Sequence, residues 1–374
     1  VGMSVCLICL SVMSSSSVQA DSPPLDSFGH EGMNLEASTL PVKYDGGAGT
    51  AAEPYRIRTA EQMNQIGLNT EDWNKHFILT ADLDMSGITG EQYNIIGYHL
   101  SSTVYEAFTG SFNGNNHVIS NFSYTTQDVK RCVGLFGYAS GAQIHHLKLA
   151  GVNVSASGWY ISGLVGYQES GSITQCCVTG QVSSGASSLY VGGVAGRLNN
   201  TTVNSCRSAT DVSAGETSSY VGGFAGRVTN MTHCYSAGTV TSGTGSLNVG
   251  GLAGLGGTLT GCYWDTQTSG QAGGAGTPKT TTQMRAAATY AGWDFAATWR
   301  ICEGMNYPRL AWEPVPAADF VCPEGVETAD VVVMANAWLM SGALEADIAP
   351  GTPDGKVDLQ DFAALAGQWM EETD

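Results

Sequence analysis

Between residues 133 and 264 the apolar positions fall in short alternating runs broken by Gly, Ser, Asn and Thr, with no helical period. The pattern predicts strands throughout this stretch, and the runs repeat. A Gly-apolar-small/apolar-Gly tetrad stands at Gly134–Gly137, Gly163–Gly166, Gly193–Gly196, Gly223–Gly226 and Gly251–Gly254, at spacings of 29, 30, 30 and 28 residues. In phase with it run Ile144, Ile173, Val203, Met231 and Leu259, each followed three residues later by Leu147, Cys176, Cys206, Cys234 and Cys262. Val182, Val212 and Val240 keep the same step. An all-β unit of 28–30 residues cannot bury its own apolar face, whereas stacked copies can. Propeller blades need roughly 40 or more residues. The expected fold is therefore mainly β, a right-handed parallel β-solenoid (β-helix). Five coils at ~4.8 Å per strand give a rod segment of roughly 24 Å.

Stacking accounts for the residue choices. The tetrad glycines are expected to permit left-handed corners and close approach between coils. Leu147 replaces cysteine in the first copy of the cysteine ladder, so that ladder reads as small buried hydrophobes rather than ligands. Cys302 and Cys322 are the disulfide candidates. Both flanks carry a capping box, Thr59 with Gln62 and Thr280 with Gln283, each opening a short helix that would close an end of the rod. Phe77-Ile78-Leu79, Ile95-Ile96 and Val118-Ile119 supply opening coils; Trp293, Phe295, Trp299, Ile301 and Tyr307 supply a closing segment. Val5–Met13 with Val18-Gln19-Ala20 reads as an export signal. The organisation expected is signal 1–20, disordered linker 21–45, N-terminal cap and first coils 46–130, five repeats 131–264, C-terminal cap 265–312 and a separate dockerin-like module 313–374.

The tetrads at this spacing resemble the GLUG motif repeats of bacterial surface and secreted proteins. The lead-in from Gly46 through Tyr55 to Met63 and the exit from Cys262 through Trp264 and Trp293 to Pro308 resemble the segments that flank such repeats. The resemblance implies an extracellular, adhesin-like solenoid, often attached to enzymes but not itself known as a catalytic unit.

Composition adds an address for the charge. The chain has 374 residues, 43% hydrophobic, which excludes wholesale disorder, and a net charge of −18, which argues against nucleic acid or an anionic membrane as partner. Apart from the leader, no run reaches the ~18 apolar residues of a membrane span. Residues 313–374 hold 13 of the 33 acids and a single base, Lys356. Two segments there, Asp330–Leu339 and Asp361–Met370, carry apolar residues at helical spacing behind an Asp. Asp354, Gly355, the Lys356 carbonyl, Asp358 and Asp361 fit positions 5, 6, 7, 9 and 12 of a calcium loop. Pro350 and Thr352 would stand at positions 1 and 3; Asp347 serves only if the loop is three residues longer. The first copy has Asp319, Glu327 and Asp330 but Val321 and Pro323 at positions 3 and 5. The arrangement resembles a dockerin and implies a calcium-dependent tether to a cohesin-like or cell-surface protein; a solvated acidic helix pair is the alternative.

Catalysis finds little support in the rod. Its acids between Arg131 and Trp264 are Glu169, Asp211 and Glu216, on different coils, whereas a glycosidase needs a facing pair. His145 and His146 share a strand, one expected to point in and one out. A polysaccharide lyase or glycosidase remains the enzymatic alternative. Binding of glycans is the other: Tyr160, Tyr190 and Tyr220, 30 residues apart, are expected to form an outward row able to stack on sugars. Arg197 and Arg227 stand directly after their tetrads and could contact acidic groups.

Overall fold

The computed structural model describes residues 43–314, 328–338, 346, 348 and 356–368. Residues 42–374 form one compact unit. Residues 1–42, which hold the expected export signal and most of the linker, lie outside the described residues, and the linker's last residues are ordered rather than disordered: Tyr44 is buried and donates to Asp72 Oδ2 (2.9 Å).

Among the described residues twenty strands join one sheet. Their parallel registers turn the sequence repeats into columns. Tyr55, Phe77, Phe112, Ile144, Ile173, Val203, Met231 and Leu259 pair in unbroken succession, three coils beyond the five read from the tetrads. Val154, Val182, Val212 and Val240 form a second column, and Ile161, Val191, Val221 and Val249 a third. These columns meet in one core. The two coils between Phe77 and Ile144 are longer than the later repeats, and aromatic rings fill the added width. Phe108 lies 6.1 Å from Phe77 and 5.1 Å from Phe136, which in turn lies 5.4 Å from Phe112.

The tetrad glycines do not make left-handed corners. None of the ten has a positive φ. The corners belong to other residues: Cys132, Tyr160, Tyr190, Tyr220 and Asn248 in one column (φ 54 to 63°), and His146, Gln175, Ser205 and His233 in another (φ 50 to 53°). What the tetrads need is room. A Cβ on Gly193 would sit 2.4 Å from the Gly223 carbonyl oxygen, and one on Gly226 would sit 2.6 Å from the Tyr190 Cα. From the second tetrad on, the second glycine thus lies against the strained corner of the preceding coil, where no side chain fits.

Cys176, Cys206, Cys234 and Cys262 run up the core as free, buried thiols. The Cys176 amide donates to Cys206 Sγ (3.4 Å) and the Cys206 amide to Cys234 Sγ (3.3 Å). Burial holds the Cys176 and Cys234 thiols well above their usual range. Cys302 is disulfide-bonded, while Cys322 lies outside the described residues.

Among the described residues five α-helices accompany the sheet: α1 (Ala60–Leu68), α2 (Thr266–Ser269), α3 (Thr281–Met284), α4 (Thr328–Ala337) and α5 (Leu359–Gly367). Both expected capping boxes are present, Thr59 with Gln62 and Thr280 with Gln283. Met63 and Ile66 of α1 join the rod core. The residues after α3 behave differently from a cap confined to one end: they run back along the flank of the rod. Trp293 Nε1 donates to the Gly261 carbonyl (3.1 Å), Tyr235 Oη to the Pro308 carbonyl (2.6 Å), and Arg207 Nε to Glu313 Oε1 (2.8 Å). Lys148 Nζ, two coils before Arg207, lies 3.7 Å from Glu313 Oε2. This strap covers an outward row of Lys148, Cys177, Arg207, Tyr235 and Tyr263, which pair in register. Glu313 therefore belongs with the rod, not with the acidic module to which composition assigned it. Its carboxylate is fully buried between Arg207 and Lys148.

Candidate functional site

The exposed chemistry of the rod gathers on another set of columns. Each Tyr of the 160/190/220 row is placed by its left-handed corner, and the rings lie face to face. Centroids are 5.2 Å apart at 12° between Tyr160 and Tyr190, and 4.8 Å apart at 8° between Tyr190 and Tyr220. The rings are aligned, as expected, but strand alternation is not what aligns them. Their faces are occupied by one another, and Tyr160 is buried. Such a stack offers edges and hydroxyls to a ligand rather than platforms.

A parallel row stands beside it. Tyr138, Tyr167, Arg197 and Arg227 pair in register directly after the tetrads. Tyr167 stacks on Tyr138 at 5.3 Å and on Tyr160 at 5.0 Å, joining the two rows. The Arg197 guanidinium lies 5.3 Å from the Tyr167 ring and 5.5 Å from the Tyr190 ring, a cation–π bracket between the rows. Arg227 follows it on the next coil. Burial, then the nearby Glu169 carboxylate, pushes the Tyr138 hydroxyl up to about 12, and the same two causes raise Tyr167. Tyr138 Oη donates to Glu169 Oε2 at 3.3 Å.

The exposed part of this face lies at its N-terminal edge. A hairpin pairing Tyr98 with Glu106 and His99 with Tyr105 carries Leu100 and Val104 into solvent. His99 packs on Tyr105 (5.6 Å, stacked) and edge-on against Tyr138 (5.0 Å). Trp159, 40% exposed, is backed by the Arg131 guanidinium at 4.1 Å, and Arg131 Nη1 donates to the Leu100 carbonyl at 3.1 Å. Sequence reasoning missed this edge. Tyr138 and Tyr167 carried a signal, since they stand in the tetrad phase where Arg197 and Arg227 stand later; the hairpin lies outside the repeat and carried none.

Asn248 takes the same corner in the last coil (φ 54°), so Tyr190→Asn preserves the backbone while removing two stacked contacts. The expected loss is about 1–3 kcal/mol, read as a lower urea midpoint. An unchanged midpoint would mean the ladder adds nothing to stability.

The other expected residues lie apart. His145 and His146 are both half-buried, their Nδ1 atoms 3.0 Å apart, so neither the inward nor the outward assignment holds for one of them alone. Burial lowers both imidazoles. Glu169 stands on one coil, but Asp211, in the strand Arg207–Ala214, and Glu216 just after it share the next, against the expectation of different coils; Asp211 Oδ1 accepts from the Thr239 amide and hydroxyl (2.9 and 2.7 Å).

In the acidic module, α4 and α5 pack through Met334, Val357 and Leu365, with Trp338 edge-on to Phe362. Asp358 caps α5 by accepting from the Gln360 amide (2.8 Å). Asp361 is 1% exposed and accepts from the Ile348 amide through Oδ1 (2.7 Å) and the Asp358 amide through Oδ2 (2.8 Å). These bonds draw the preceding chain onto the start of α5. Among the described residues no group of three or more His, Cys, Asp and Glu side chains is placed to hold a metal ion. Asp347, Asp354 and the first loop's Asp319 and Glu327 lie outside the described residues.

Residues 217–241, which include the fourth tetrad, match the GLUG motif. The chain carries a GLUG motif. Over 153 residues, 40% of this chain, it is 31% identical to halomucin from Haloquadratum walsbyi (strain DSM 16790 / HBSQ001), a match that spans 2% of that protein's length. The crystal structure of a proposed immunoglobulin A1 protease from Bacteroides ovatus is similar in fold, with a TM-score of 0.52 and 20% identity, over 73% of this chain and 96% of that one. At that identity the likeness speaks for the GLUG repeat rod's fold alone. No described helix is long and apolar enough to cross a membrane.

Proposed function

We propose that this GLUG-repeat solenoid is a secreted or cell-surface, non-catalytic, adhesin-like protein. The rod, read as right-handed, acts as a binding and spacer surface. The acidic C-terminal module is a dockerin-like tether that takes one calcium ion and docks on a cohesin-like or cell-surface protein. The observation that carries the binding role is the exposed edge formed by Leu100, Val104, Tyr105 and Trp159 on a rigid aromatic base, since an exposed apolar cluster of this kind marks an interaction surface. The scattered acids of the rod favour binding over glycoside cleavage, and the arginine-backed Trp159 is the ring whose position suits a sugar better than any in the stacked row.

Two measurements on the full chain separate the roles. Retention on a glycan array is expected to fall on Trp159→Ala and to be indifferent to EGTA. Calorimetry is expected to give one calcium site, lost on Asp361→Asn, and capture on an immobilised cohesin is expected to vanish with EGTA. Retention unchanged by Trp159→Ala, or no calcium uptake, overturns the corresponding half.

A further inference from the structure

A cavity of about 540 Å³ lies where the strap crosses the rod, walled by residues from both. Three arginines line it: Arg207 from the rod, Arg285 and Arg309 from the strap. Arg207 is matched by Glu313. Arg285 is held differently. Its guanidinium lies 5.6 Å from the Tyr307 ring centroid, and Tyr307 is fixed in turn by stacking on Tyr235 (6.1 Å, 17°) and by donating to Asp265 Oδ2 (2.8 Å). Among the described residues Arg285 has no carboxylate partner, and its buried Nε has no hydrogen-bond acceptor. Arg309, 7% exposed, adds positive charge to the same wall. Among the described residues the lining carries one carboxylate, Asp211, whose Oδ1 accepts from Thr239 and which forms no ion pair with the arginines.

A cavity that presents an oriented guanidinium and, separately, a carboxylate acceptor selects for a ligand with two properties. It must carry an anion for Arg285, which pairs with planar carboxylates through two parallel N–H bonds. It must also carry hydroxyl donors for Asp211, which would repel a bare anion. A neutral sugar leaves Arg285 unanswered, and a simple carboxylate meets Asp211 with nothing to donate. We propose that this cavity binds an acidic saccharide, a uronate unit whose carboxylate takes Arg285 and whose ring hydroxyls donate to Asp211. The site goes beyond the tether and the Trp159 edge and depends on neither.

Calorimetry of the full chain with tetragalacturonate, in EGTA, tests it without any contribution from calcium. Saturable binding is expected, weakened about tenfold or more by methyl esterification of the sugar and by Arg285→Gln, the change that loss of one charge-assisted pair gives. Asp211→Asn, at an exposed position, is expected to weaken binding while leaving the thermal midpoint unchanged. No binding overturns the proposal. So does equal binding of the methyl ester, or equal binding of a glutamate-rich peptide, which would assign the cavity to anions in general. If Arg285→Gln disturbs the fold, the ester and Asp211→Asn comparisons still decide.

Discussion

Gly193→Ala is expected to destabilise the rod by about 3 kcal/mol or more, at or beyond the upper end of overpacking costs. The obstacle is backbone. An added Cβ would meet the Gly223 carbonyl oxygen at 2.4 Å, Ser208 Oγ at 2.6 Å and Thr210 Cβ at 2.7 Å, all buried. Relief requires the two coils to separate, and separation loosens the Val194 and Ala195 amides from the Phe224 carbonyl (2.9 and 3.1 Å). In a stacked fold the loss falls on the interface between neighbouring repeats, so it uncouples the coils on either side. Gly273→Ala is the control: nothing lies within 4 Å of its Cβ position, and its φ is not left-handed. Urea unfolding should give a midpoint well below the parent for Gly193→Ala and an unshifted one for Gly273→Ala. Equal midpoints would remove the steric account of the tetrad.

That glycine was legible in the sequence as a position, and half legible as a reason. Periodicity exposed the columns because each strand of a solenoid meets its own equivalent in the next coil, so a core position recurs at the coil length. Ile144, Ile173, Val203, Met231 and Leu259 pair as their spacing says. Periodicity does not report φ. A left-handed corner held by Tyr190 breaks the usual link between positive φ and glycine, and only the geometry shows that the tyrosine stack and the glycine beneath it hold that corner. The early coils were legible as alternating apolar segments but not as repeats, because Phe77 and Phe112 lie further apart in sequence than the later copies. The strap was illegible for a different reason: Arg207 and Glu313 are 106 residues apart and belong to no repeat, so nothing local joins them.

Glu313→Ala is expected to cost about 3–5 kcal/mol, the penalty for leaving a buried charge without its partner. Arg207 and Lys148 are 4% and 5% exposed and both face this carboxylate, which Arg207 meets through Nε and Nη2 and which also accepts from the Leu310 amide through Oε1 (2.9 Å). The backbone carbonyl of Glu313 in turn accepts from Arg300 Nη2, so the residue ties the strap to itself as well as to the rod. Burial alone would raise the Glu313 carboxyl; Arg207, then Lys148 and the Leu310 amide outweigh it and bring it down to about 2 from an ordinary 4.5. The sign of the pH dependence follows. A carboxyl with a depressed folded-state value stabilises the fold fully above pH 4.5, because there both states are ionised and only the folded one has the partners. Between pH 4.5 and about 2 the unfolded chain binds the proton first, and the contribution drains away. The parent should therefore lose stability steeply on acidification through that window, while Glu313→Gln, already weakened at neutral pH, should show a shallower slope there. Thermal melts of both proteins from pH 7 to pH 2 measure the difference. Parallel slopes would mean that other carboxylates, not Glu313, govern the acid limb.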